Sequence, residues 1–490
     1  MVYSKQDLIQ VRLLPMDHRC LTGLVLFAVL IVFGATAAVA QVTPSYYVSG
    51  TTGNDSWSGL LAAPNAGNTD GPFRTLTRAQ SALRASSTKK VTIRGGTYSL
   101  ASTSLTFTSQ DTGETWTSYP GETVTLNGGG TGYISVASAN NLSFISLVFQ
   151  NLGPGPTAPG LYLSRSGHTF QGNRFLNCHI FCISGSNVDN TVIDNNIFDG
   201  QSPGNPEGST ANFYAMITLW FGSSGNQITH NLFQNAQGGA VAFSAGPSDP
   251  PNNNNVIDRN IARNTCTNVV DAGALYVMDR TLTAVGNQIT NNIIDGNGGY
   301  TTSTTTFMDN QTKAIYIDDG MSNTLVSGNL CRGCGDYAIQ YHGGDHNTVR
   351  NNIFDLSNGG PEIGFYQSAS VTNGMGSNTF TNNIIYSSGN FHNPLWNTCC
   401  MSGMTRPTDN TNLYYSATGA SIPNSGIVDT NPVYANPQFT NPSAGDYSMP
   451  ANSPAYSLIQ FQPLPTDQGP QASSTPPNPP TNLIVIQTSP

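Results

Sequence analysis

Residues 192–198 read VIDNNIF and residues 349–354 read VRNNIF, two copies of one short pattern that recurs through the middle of the chain. The pattern is apolar, any, any, Asn, apolar, apolar. Eight copies place this Asn at positions 173, 196, 231, 260, 292, 329, 352 and 383, with intervals of 23, 35, 29, 32, 37, 23 and 31 residues. The shortest interval indicates the repeated unit, and the longer intervals indicate loop insertions.

A period in the low twenties with short apolar strands favours a β-solenoid, whose coils pair by parallel strands about 4.8 Å apart. Side chains then alternate between the interior and the exterior. Asn at one register can stack into a ladder, and it tolerates the left-handed backbone conformation of tight turns. A leucine-rich repeat has a similar period, but its Leu framework is missing. The pattern therefore predicts an all-β solenoid.

Composition agrees with this prediction. The 490 residues include 52 Asn and 51 Gly but only four Glu, and charged residues make up 9%. Asn and Gly are unfavourable inside helices, so a mostly helical chain is excluded. A hydrophobic content of 38% argues against disorder. The net charge of −9 argues against a nucleic-acid partner, which would need clustered Lys and Arg.

The first forty residues read as a secretory signal peptide (1–40). Residues 21–33 are mostly apolar, and Ala38-Val39-Ala40 gives a small-residue cleavage pattern before Gln41. The alternative is an uncleaved anchor helix, although the apolar run is short for a membrane span. No later segment is predicted to span a bilayer. We therefore expect a secreted protein, extracellular or periplasmic.

The rest of the chain is predicted to be one solenoid domain (41–469) with a cap at each end, because terminal coils expose core and strand edges. Residues 73–83 (FRTLTRAQSAL) form an amphipathic helical pattern within an N-terminal cap of about 46–100. The Pro-containing stretch of about 400–469 is predicted to be an extended C-terminal cap that lies along the stack. Residues 470–490 read as a Pro/Ser-rich tail.

Seven cysteines remain after residue 40, and export to an oxidising compartment makes pairing plausible. Cys331 and Cys334 could pair locally or across coils, or form half of a zinc site, although no second ligand pair matches. An odd number leaves at least one thiol free or paired between chains. The seven are Cys178, Cys182, Cys266, Cys331, Cys334, Cys399 and Cys400.

Three segments, at 271–279, 313–320 and 338–345, carry the polar residues that suggest chemistry. Aligned on their alanines, they place side chains of adjacent coils in three columns: Tyr276, Tyr316 and Gln340; Met278, Asp318 and His342; and Asp279, Asp319 and Gly343. Sugar hydrolysis needs two carboxylates, and aromatic rings offer a sugar an apolar face. The alternative is that Asp271, Asp318 and Asp319 are turn residues or a calcium site joining two coils.

The same three segments, DAGALY, AIYIDDGMSN with VSGN, and AIQYHGGDHNTVRNNIF, resemble a run found in secreted bacterial right-handed parallel β-helix proteins. The family they resemble is glycoside hydrolase family 141, whose members act as fucosidases or xylanases. The opening (YYV, GPFRTLTRAQSAL, VTIRGGTYSL) and the ending (NPQFTNPSAGDYSMPANSPAYSL) are similar to the wider β-helix group. The resemblance thus covers nearly all of 46–468 and implies a right-handed parallel β-helix.

In that family two aspartates form the catalytic pair, and by motif they fall on Asp271 and on Asp318 or Asp319. The family continues its first motif with a small residue, Gly and Arg, whereas Val277-Met278-Asp279-Arg280 stands here, a departure that bears on the substrate. We expect a monomer acting on a polysaccharide or oligosaccharide, with no required cofactor and no metal ligands assigned, although Ca²⁺ stays open. The expected substrate contacts are Tyr276, Tyr316, His342, Asp345 and Arg280.

A polysaccharide lyase or epimerase on the same fold is the first alternative. Lyases need a base, often Lys or Arg, and a group that neutralises a uronate carboxylate. The candidates are Lys313, Arg280, Arg332 and Arg350. The polygalacturonase group also carries an Asp pair on a β-helix, but its Asn-Thr-Asp, Gly-His-Gly and Arg-x-Lys signatures are absent.

A non-catalytic glycan-binding or adhesion solenoid is the second alternative, supported by the plainness of most coils and by the Pro-rich tail. The clustering of Asp, His and Tyr in adjacent coils argues against it, because a passive rod has no need of it. Glu362 is a spare carboxylate that could be acid, ligand or simply solvated. Trp220 and Trp396 could stack on sugars or pack in the core.

Overall fold

The computed structural model describes residues 44–153, 159–177, 181–200, 215–267, 269, 271–297, 312–357, 362–366, 368, 375–391, 395–397, 407–422 and 429–471. The predicted signal peptide, residues 472–490 of the predicted tail, and Cys178, Cys399 and Cys400 lie outside this part of the chain. Within it, three all-parallel sheets make up the protein. No helix of the described residues is long and apolar enough to cross a membrane.

Each coil contributes one strand to each sheet in turn, and its strands pair with those of the coils before and after it. Sheet 1 comprises Tyr46–Val48, Lys90–Ile93, Thr115–Ser118, Ser143–Ile145, Thr169–Gln171, Val192–Asp194, Gln227–Thr229, Val256–Asp258, Gln288–Thr290, Leu325–Ser327, Thr348–Arg350, Thr379–Thr381 and Thr408–Asn410. Sheet 2 comprises Gly96–Ser99, Val124–Asn127, Val148–Gln150, Arg174–Leu176, Ile197–Asp199, Leu232–Gln234, Ile261–Thr265, Ile293–Asn297, Leu330–Cys334, Ile353–Asp355, Ile384–Ser387, Leu413–Ser416 and Val433–Tyr434.

Sheet 3 contains the longest strands, up to the eight residues of Ala272–Asp279. Its strands are Leu105–Phe107, Ile134–Val136, Leu161–Ser166, Ile183–Asp189, Ala215–Trp220, Gly239–Ala245, Ala272–Asp279, Thr312–Asp318, Tyr337–His342, Glu362–Tyr366 and Trp396–Asn397. Parallel strands joined by crossovers within one sheet follow the right-handed rule. The predicted right-handed parallel β-helix is therefore confirmed.

The core is a column of apolar side chains that point inward from all three sheets. Inside sheet 2, the rings of Phe149, Phe175, Phe198 and Phe233 stack coil upon coil, with centroids 4.6–4.8 Å apart. This spacing matches the distance between paired strands, because each ring sits directly over the one in the coil below. Trp396 is also interior, stacked on Phe365 at 5.3 Å, so of its two predicted roles the structure gives it the packing one.

The predicted Asn ladder runs between sheets 1 and 2. Asn173 accepts, at its Oδ1, a hydrogen bond from the backbone N–H of Leu147 at 2.9 Å. In each later coil the buried Asn accepts in the same way from the backbone N–H of the Asn in the preceding coil, at 2.8–3.0 Å. Its Nδ2 donates to a backbone carbonyl, as Asn260 does to Ile228 at 2.8 Å. The ladder comprises Asn173, Asn196, Asn231, Asn260, Asn292, Asn329, Asn352, Asn383 and Asn412, and Asp429 accepts from Asn412 at its end.

The residue before each ladder Asn makes the turn that this ladder closes. It has left-handed backbone dihedrals in Asn195, His230, Arg259 and Asn291, with φ between 50° and 59°. Asn is enriched at such positions, which explains the Asn-Asn pairs of the repeat. A second, shorter ladder follows sheet 3 and includes Asn226, Asn255 and Asn287.

A helix closes the N-terminal end, as predicted, but it begins at Leu76 rather than at residue 73. Helix Leu76–Arg84 is N-capped by the Thr75 side chain and buries Leu76, Ala79 and Leu83. Its last residue, Arg84, donates to the buried Asp111 at 2.6 and 2.7 Å. The segment before Leu76 is extended, because Phe73 bridges Val48 of the first strand.

The C-terminal segment 429–471 folds back along the outside of the stack. The chain passes through the short helix Pro454–Leu458. It then receives a hydrogen bond at Ile459 O from Asn382 and donates from Gly469 N to Arg259 O and from Gln471 N to Asn195. We call residues 459–471 the strap. Its Phe461 joins an apolar cluster with Leu330, Ile353, Ile384 and Leu413 of sheet 2.

Among the described residues, Cys266, Cys331 and Cys334 are buried free thiols, and Cys182 is in a disulfide. The local Cys331–Cys334 bond considered from the sequence is therefore not formed here. The side chain of Glu362 lies outside the described part, and its backbone opens strand Glu362–Tyr366.

Candidate active site

The candidate site lies on the outer face of sheet 3, where three neighbouring strands bring the predicted columns together. Strand Ala272–Asp279 pairs with Thr312–Asp318, which pairs with Tyr337–His342. The pairing places Tyr276 opposite Tyr316, and Tyr316 opposite Gln340, so the first predicted column is confirmed.

The second predicted column meets at Asp318. Met278 pairs with Asp318 across the strands, and His342 Nδ1 donates to Asp318 Oδ1 at 2.6 Å. Tyr276 donates its hydroxyl to Asp318 Oδ2 at 2.7 Å, and the backbone N–H of Asp319 donates to Oδ1 at 2.8 Å. With 3% of its side chain exposed, Asp318 is buried, and both of its oxygens accept hydrogen bonds.

Asp271 forms the opposite edge of the site. It precedes strand Ala272–Asp279 in a left-handed conformation, with φ 51°, so it is a turn residue by its backbone. Its Oδ1 accepts from the buried Lys313 Nζ at 2.8 Å and from the Tyr316 hydroxyl at 3.2 Å. A third of its side chain, 35%, stays exposed, which makes Asp271 the most accessible of the three predicted carboxylates.

Tyr316 links the two edges. Its hydroxyl lies 3.2 Å from Asp271 Oδ1 and 3.3 Å from His342 Nδ1. Lys313 Nζ lies 4.2 Å from the centre of its ring, a cation–π contact. Burial, and then the charges of Asp318 and Asp271, raise the pKa of Tyr316 well above its ordinary value. The phenol therefore stays protonated and donates.

Asp319 is committed to a separate ion pair. Arg280 Nε donates to Asp319 Oδ2 at 2.7 Å, and the Arg280 Nη2 and Ser368 Oγ groups also donate to this carboxylate. Burial lowers the pKa of Arg280, but the hydrogen bond and charge of Asp319 outweigh it and raise the pKa. Asp319 thus anchors Arg280, whose side chain is 35% exposed.

Electrostatics favour a charged His342. Burial lowers the pKa of His342, but its hydrogen bond to Asp318 and the charges of Asp318 and Asp319 raise the pKa by more. The net result is a pKa above the ordinary value. Tyr276 is shifted too, because burial and the Asp318 charge raise the pKa of its phenol well above the usual range. The site therefore places three aspartates beside the basic side chains of Arg280, Lys313 and His342.

Two predicted members lie apart from this cluster. Asp345 sits in the turn after sheet 3, where it accepts from the Ser377 N–H at 2.8 Å and lies 3.7 Å from His346. Asp279, of the third predicted column, accepts at 2.7 and 2.8 Å from the N–H groups of Thr281 and Ala284 and so fixes the loop after its strand. Of the lyase candidates, Arg332 pairs with Asp295 on sheet 2, and Arg350 lies exposed on sheet 1.

Ser368 and the ion-pairing role of Lys313 were not predicted. Lys313 stands out in the sequence only as a rare cation, and nothing in the repeat marks it as the partner of Asp271. Ser368 follows two coils after Asp319, beyond the aligned segments. Lys313 lies opposite Gly273 on the neighbouring strand, so its contact with Asp271 follows from strand pairing, whereas Ser368 lies beyond strand Glu362–Tyr366.

The ligand atoms of Asp318, Asp319 and His342 lie within 4.8 Å of one another, which is close enough to surround a cation. Arg280 already donates to Asp319, however, and Tyr276 and two N–H groups occupy the oxygens of Asp318. A divalent cation would have to displace these donors, so the donor set fits a hydrogen-bonded site better than a metal site.

Comparisons with known proteins give the fold. No protein-family model matches the chain, and no curated protein matches it. Among solved structures it is similar to a PL6 family alginate lyase, with 14% identity, a TM-score of 0.51, and coverage of 83% of this chain and 59% of that chain. A second PL6 alginate lyase, in complex with trisaccharide, has 12% identity, a TM-score of 0.45, and coverage of 80% and 92%.

The chain is also similar to the catalytic domain of a GH87 alpha-1,3-glucanase in complex with tetrasaccharides. The identity is 13%, the TM-score is 0.45, and the match covers 71% of this chain and 67% of that domain. The chain thus spans about two thirds of the glucanase domain and less than two thirds of the first lyase. The likeness to the first lyase shows a shared β-helix fold and leaves the reaction open.

Proposed function

We propose that the protein is a carbohydrate-active enzyme that cleaves a polysaccharide by glycoside hydrolysis. The observation that carries the proposal is the continuous set of contacts from Asp271 through Tyr316 and His342 to Asp318. It joins one accessible carboxylate to one buried carboxylate on a single sheet face. Hydrolysis of a glycoside requires two carboxyl groups, one on each side of the glycosidic bond that is cleaved.

In this proposal Asp271 is the accessible carboxylate that attacks the anomeric carbon or activates water. Asp318 belongs, with His342, to the opposite side of the site, which supplies the proton to the leaving oxygen. Tyr276 and Tyr316 hold these groups in place, and Arg280, fixed by Asp319, faces the substrate. The resemblance to glycoside hydrolase family 141 supports this assignment, and the fold is one on which glycan-cleaving enzymes are known.

A polysaccharide lyase is the second candidate, because three cations surround the site. Arg280 and Lys313 are anchored by carboxylates, and the pKa of His342 is raised by its hydrogen bond to Asp318. Such a set could neutralise the carboxylate of a uronate, and a member of it that has lost its own proton could act as the base that removes the neighbouring proton. The alginate lyase with a similar fold is compatible with this second candidate.

The test is a polysaccharide screen of the protein beside the double variant Asp271→Asn, Asp318→Asn. New reducing ends and ultraviolet absorbance from unsaturated uronate ends are read together. Reducing ends without absorbance, lost in the double variant, are expected for the hydrolase, and absorbance would move the assignment to the lyase. Asp295→Asn, which removes an ion-pair partner of Arg332 on sheet 2, is the control and should leave cleavage unchanged.

The proposal includes a secreted monomer that needs no cofactor. Cleavage should persist after dialysis against a chelator, whereas loss that Ca²⁺ restores would contradict the metal-free reaction.

Expression in a bacterial host should yield an exported chain that begins at Gln41, and the mass of that chain checks the cleavage site. If no glycan is cleaved and the double variant still binds what the parent binds, a binding scaffold replaces the enzyme.

A further inference from the structure

We infer that His342 is the residue that exchanges a proton with the substrate, and that Asp318 acts through it as a positioning residue. The inference deepens the proposed function and rests on it. It changes the role of two residues: Asp318 no longer touches the sugar, and His342 is more than a binding contact.

The first step is that Asp318 has no free oxygen to offer. Its Oδ2 accepts from the Tyr276 hydroxyl at 2.7 Å, and its Oδ1 accepts from His342 at 2.6 Å and from the Asp319 N–H at 2.8 Å. Only 3% of its side chain is exposed. A sugar could reach this carboxylate only by displacing the groups that now surround it.

The second step is that the other ring nitrogen of His342 is available on a partly exposed side chain. Nδ1 carries the contacts with Asp318 and Tyr316, whereas Nε2 has no hydrogen-bond partner among the described residues. The ring stands over Tyr316 with an interplanar angle of 19°, and 28% of the side chain is exposed. A carboxylate that holds one imidazole nitrogen fixes the tautomer and aims the other at the substrate.

The third step is the charge around the imidazole. Desolvation lowers the pKa of His342, and the hydrogen bond to Asp318 with the neighbouring charges raises it above the ordinary value. The charged imidazolium is therefore more favoured here than in a free histidine. The titratable or charged groups near it are Asp318, Asp319 and Tyr316 of its neighbouring strand, Asp271, Tyr276 and Arg280 one coil further, and Tyr366 on the other side.

The reaction then balances with water as the only co-reactant. The Nε2–H bond of the imidazolium breaks and an O–H bond forms on the leaving glycosidic oxygen as its bond to the anomeric carbon breaks. A water oxygen ends on the anomeric carbon, either directly or after attack by Asp271. The proton released from this water returns to His342 through Asp271 or solvent. Asp318 keeps its negative charge throughout.

The experiment compares kcat and KM of His342→Asn and Asp318→Asn over a range of pH on a polysaccharide that the parent cleaves. His342→Asn should lower kcat about 10²- to 10⁴-fold with little change in KM, because the proton donor is lost. Asp318→Asn should lower kcat less. It should also move the alkaline limb of the profile down by about one pH unit, because the anion that favours the imidazolium is gone.

A matched control is available in the same chain. His230 Nδ1 lies 3.1 Å from Asp194 Oδ1 in a turn between sheets 1 and 2, so it is a second His–Asp pair away from sheet 3. His230→Asn keeps a residue suited to the left-handed φ of 50° and should leave the pH profile unchanged. Melting temperatures of all variants check folding, and His342→Gln replaces His342→Asn if the latter is unfolded.

The outcomes separate this inference from the proposed function. Cleavage by the parent that survives in His342→Asn, or an alkaline limb that stays in place in Asp318→Asn, overturns the inference and leaves the hydrolase proposal standing. No cleavage by the parent, or unsaturated uronate ends as its sole product, overturns the hydrolase proposal, and the inference with it. Loss of activity in His342→Asn together with a shifted limb in Asp318→Asn supports both.

Discussion

At the scale of single residues, Gln340 is the polar side chain of the site whose own contacts do not account for its burial. It is 5% exposed, it pairs with Tyr316 in the sheet, and its Oε1 has no hydrogen-bond partner among the described residues. A buried polar group left without a partner costs roughly 1–3 kcal/mol of stability. Gln340 and His342 lie on the same face of their strand, so under the proposed function a substrate hydroxyl would be the partner of this oxygen.

Gln340→Met should therefore raise the free energy of unfolding by about 1 kcal/mol and raise KM at the same time. Methionine has a similar volume and needs no hydrogen bond. Gln80 is the control, because it is also buried but its Nε2 donates to Thr106 O at 3.0 Å, so Gln80→Met should destabilise the fold. Denaturant unfolding and steady-state kinetics measure the two effects. If Gln340→Met destabilises the protein, the Oε1 atom of Gln340 is not an unpaired acceptor in the folded state.

Glu114 makes a separate prediction about pH. It is buried near the N-terminal cap, where desolvation raises its pKa to about 8 despite a hydrogen bond from Trp116. A carboxyl with a raised pKa contributes stability that is full below its unfolded value and is lost as pH rises through the folded one. Between about pH 4.5 and 8, its contribution should fall by up to about 1.4 kcal/mol per pH unit.

Glu114→Gln should remove this part of the pH dependence, as measured by denaturant unfolding at several pH values between 4.5 and 9. Glu122→Gln is the opposite control. The hydrogen bonds from Arg94 lower the pKa of Glu122, so this carboxylate contributes stability above its ordinary pKa that is lost on acidification. Its substitution should instead cost stability at neutral pH. An unchanged pH dependence in Glu114→Gln would contradict the assignment.

Residue-level reasoning from the sequence found the cluster because the coils keep a common register. Aligning three alanines was enough to bring Tyr276, Tyr316 and Asp318 onto one face. The same reasoning could not rank the carboxylates, because burial and donors decide which of them stays accessible. Asp319 looked equivalent to Asp318 in the sequence, yet Arg280 donates to its Oδ2 and Ser368 donates to its Oδ1. The catalytic roles stay predictions.

At the scale of elements, the Asn ladder explains why a chain so poor in long strands forms three regular sheets. Many strands of sheets 1 and 2 have only three residues and would be marginal alone. Each Asn of the ladder adds hydrogen bonds between coils at the bend, where the backbone pairing of the flanking strands stops. The register of neighbouring coils is thus fixed at the corner as well as along the strands.

Asn260→Ala should cost about 2–4 kcal/mol in the free energy of unfolding. The change removes the acceptor of the Asn231 N–H and the donor to Ile228 O, both inside the stack. Asn264→Gly is the control, because Asn264 is exposed, its side-chain hydrogen bond to Asn235 Oδ1 lies at the surface, and Gly keeps its left-handed φ of 52°. Denaturant unfolding should show a loss of less than about 0.5 kcal/mol for this control. Equal losses would contradict a special role for the ladder.

Elements were predictable where the repeat is regular and not elsewhere. The position of every ladder Asn from 173 to 383 follows from the repeat, because a buried Asn and its left-handed neighbour leave a fixed signature. The strands of sheet 3 carry no such signature, since insertions before them vary in length and their outer faces carry apolar and polar residues alike. Their alignment therefore came from the residues of the site rather than from the period.

At the scale of the whole molecule, the strap covers part of the outer face of sheet 2. Leu330, Ile353 and Ile384 point away from the main core and are buried because Phe461 and its neighbours cover them. In a solenoid each coil contacts only its neighbours, so stability is distributed along the stack. The strap adds contacts between coils that are otherwise far apart.

Phe461→Ala should expose this cluster and speed amide hydrogen exchange in strands Leu330–Cys334 and Ile353–Asp355, while the N-terminal coils stay protected. Removal of a buried Phe costs about 3–5 kcal/mol where it is well packed. Leu458→Ala, which alters a side chain that is 52% exposed in the same segment, is the control and should change little. Exchange that rises evenly along the whole chain would contradict local protection by the strap.

The strap also has a consequence for how such a chain can change over evolution. A coil could in principle be duplicated or deleted without disturbing its neighbours, since each addition merely lengthens the stack by about 4.8 Å. The strap, however, is pinned at Asn382, Arg259 and Asn195, and its spacing is a fixed number of residues. Any gain or loss of a coil between these points would leave its contacts out of step. The strap therefore restricts the number of coils between Asn195 and Asn382, whereas insertions in the loops would leave its contacts unchanged.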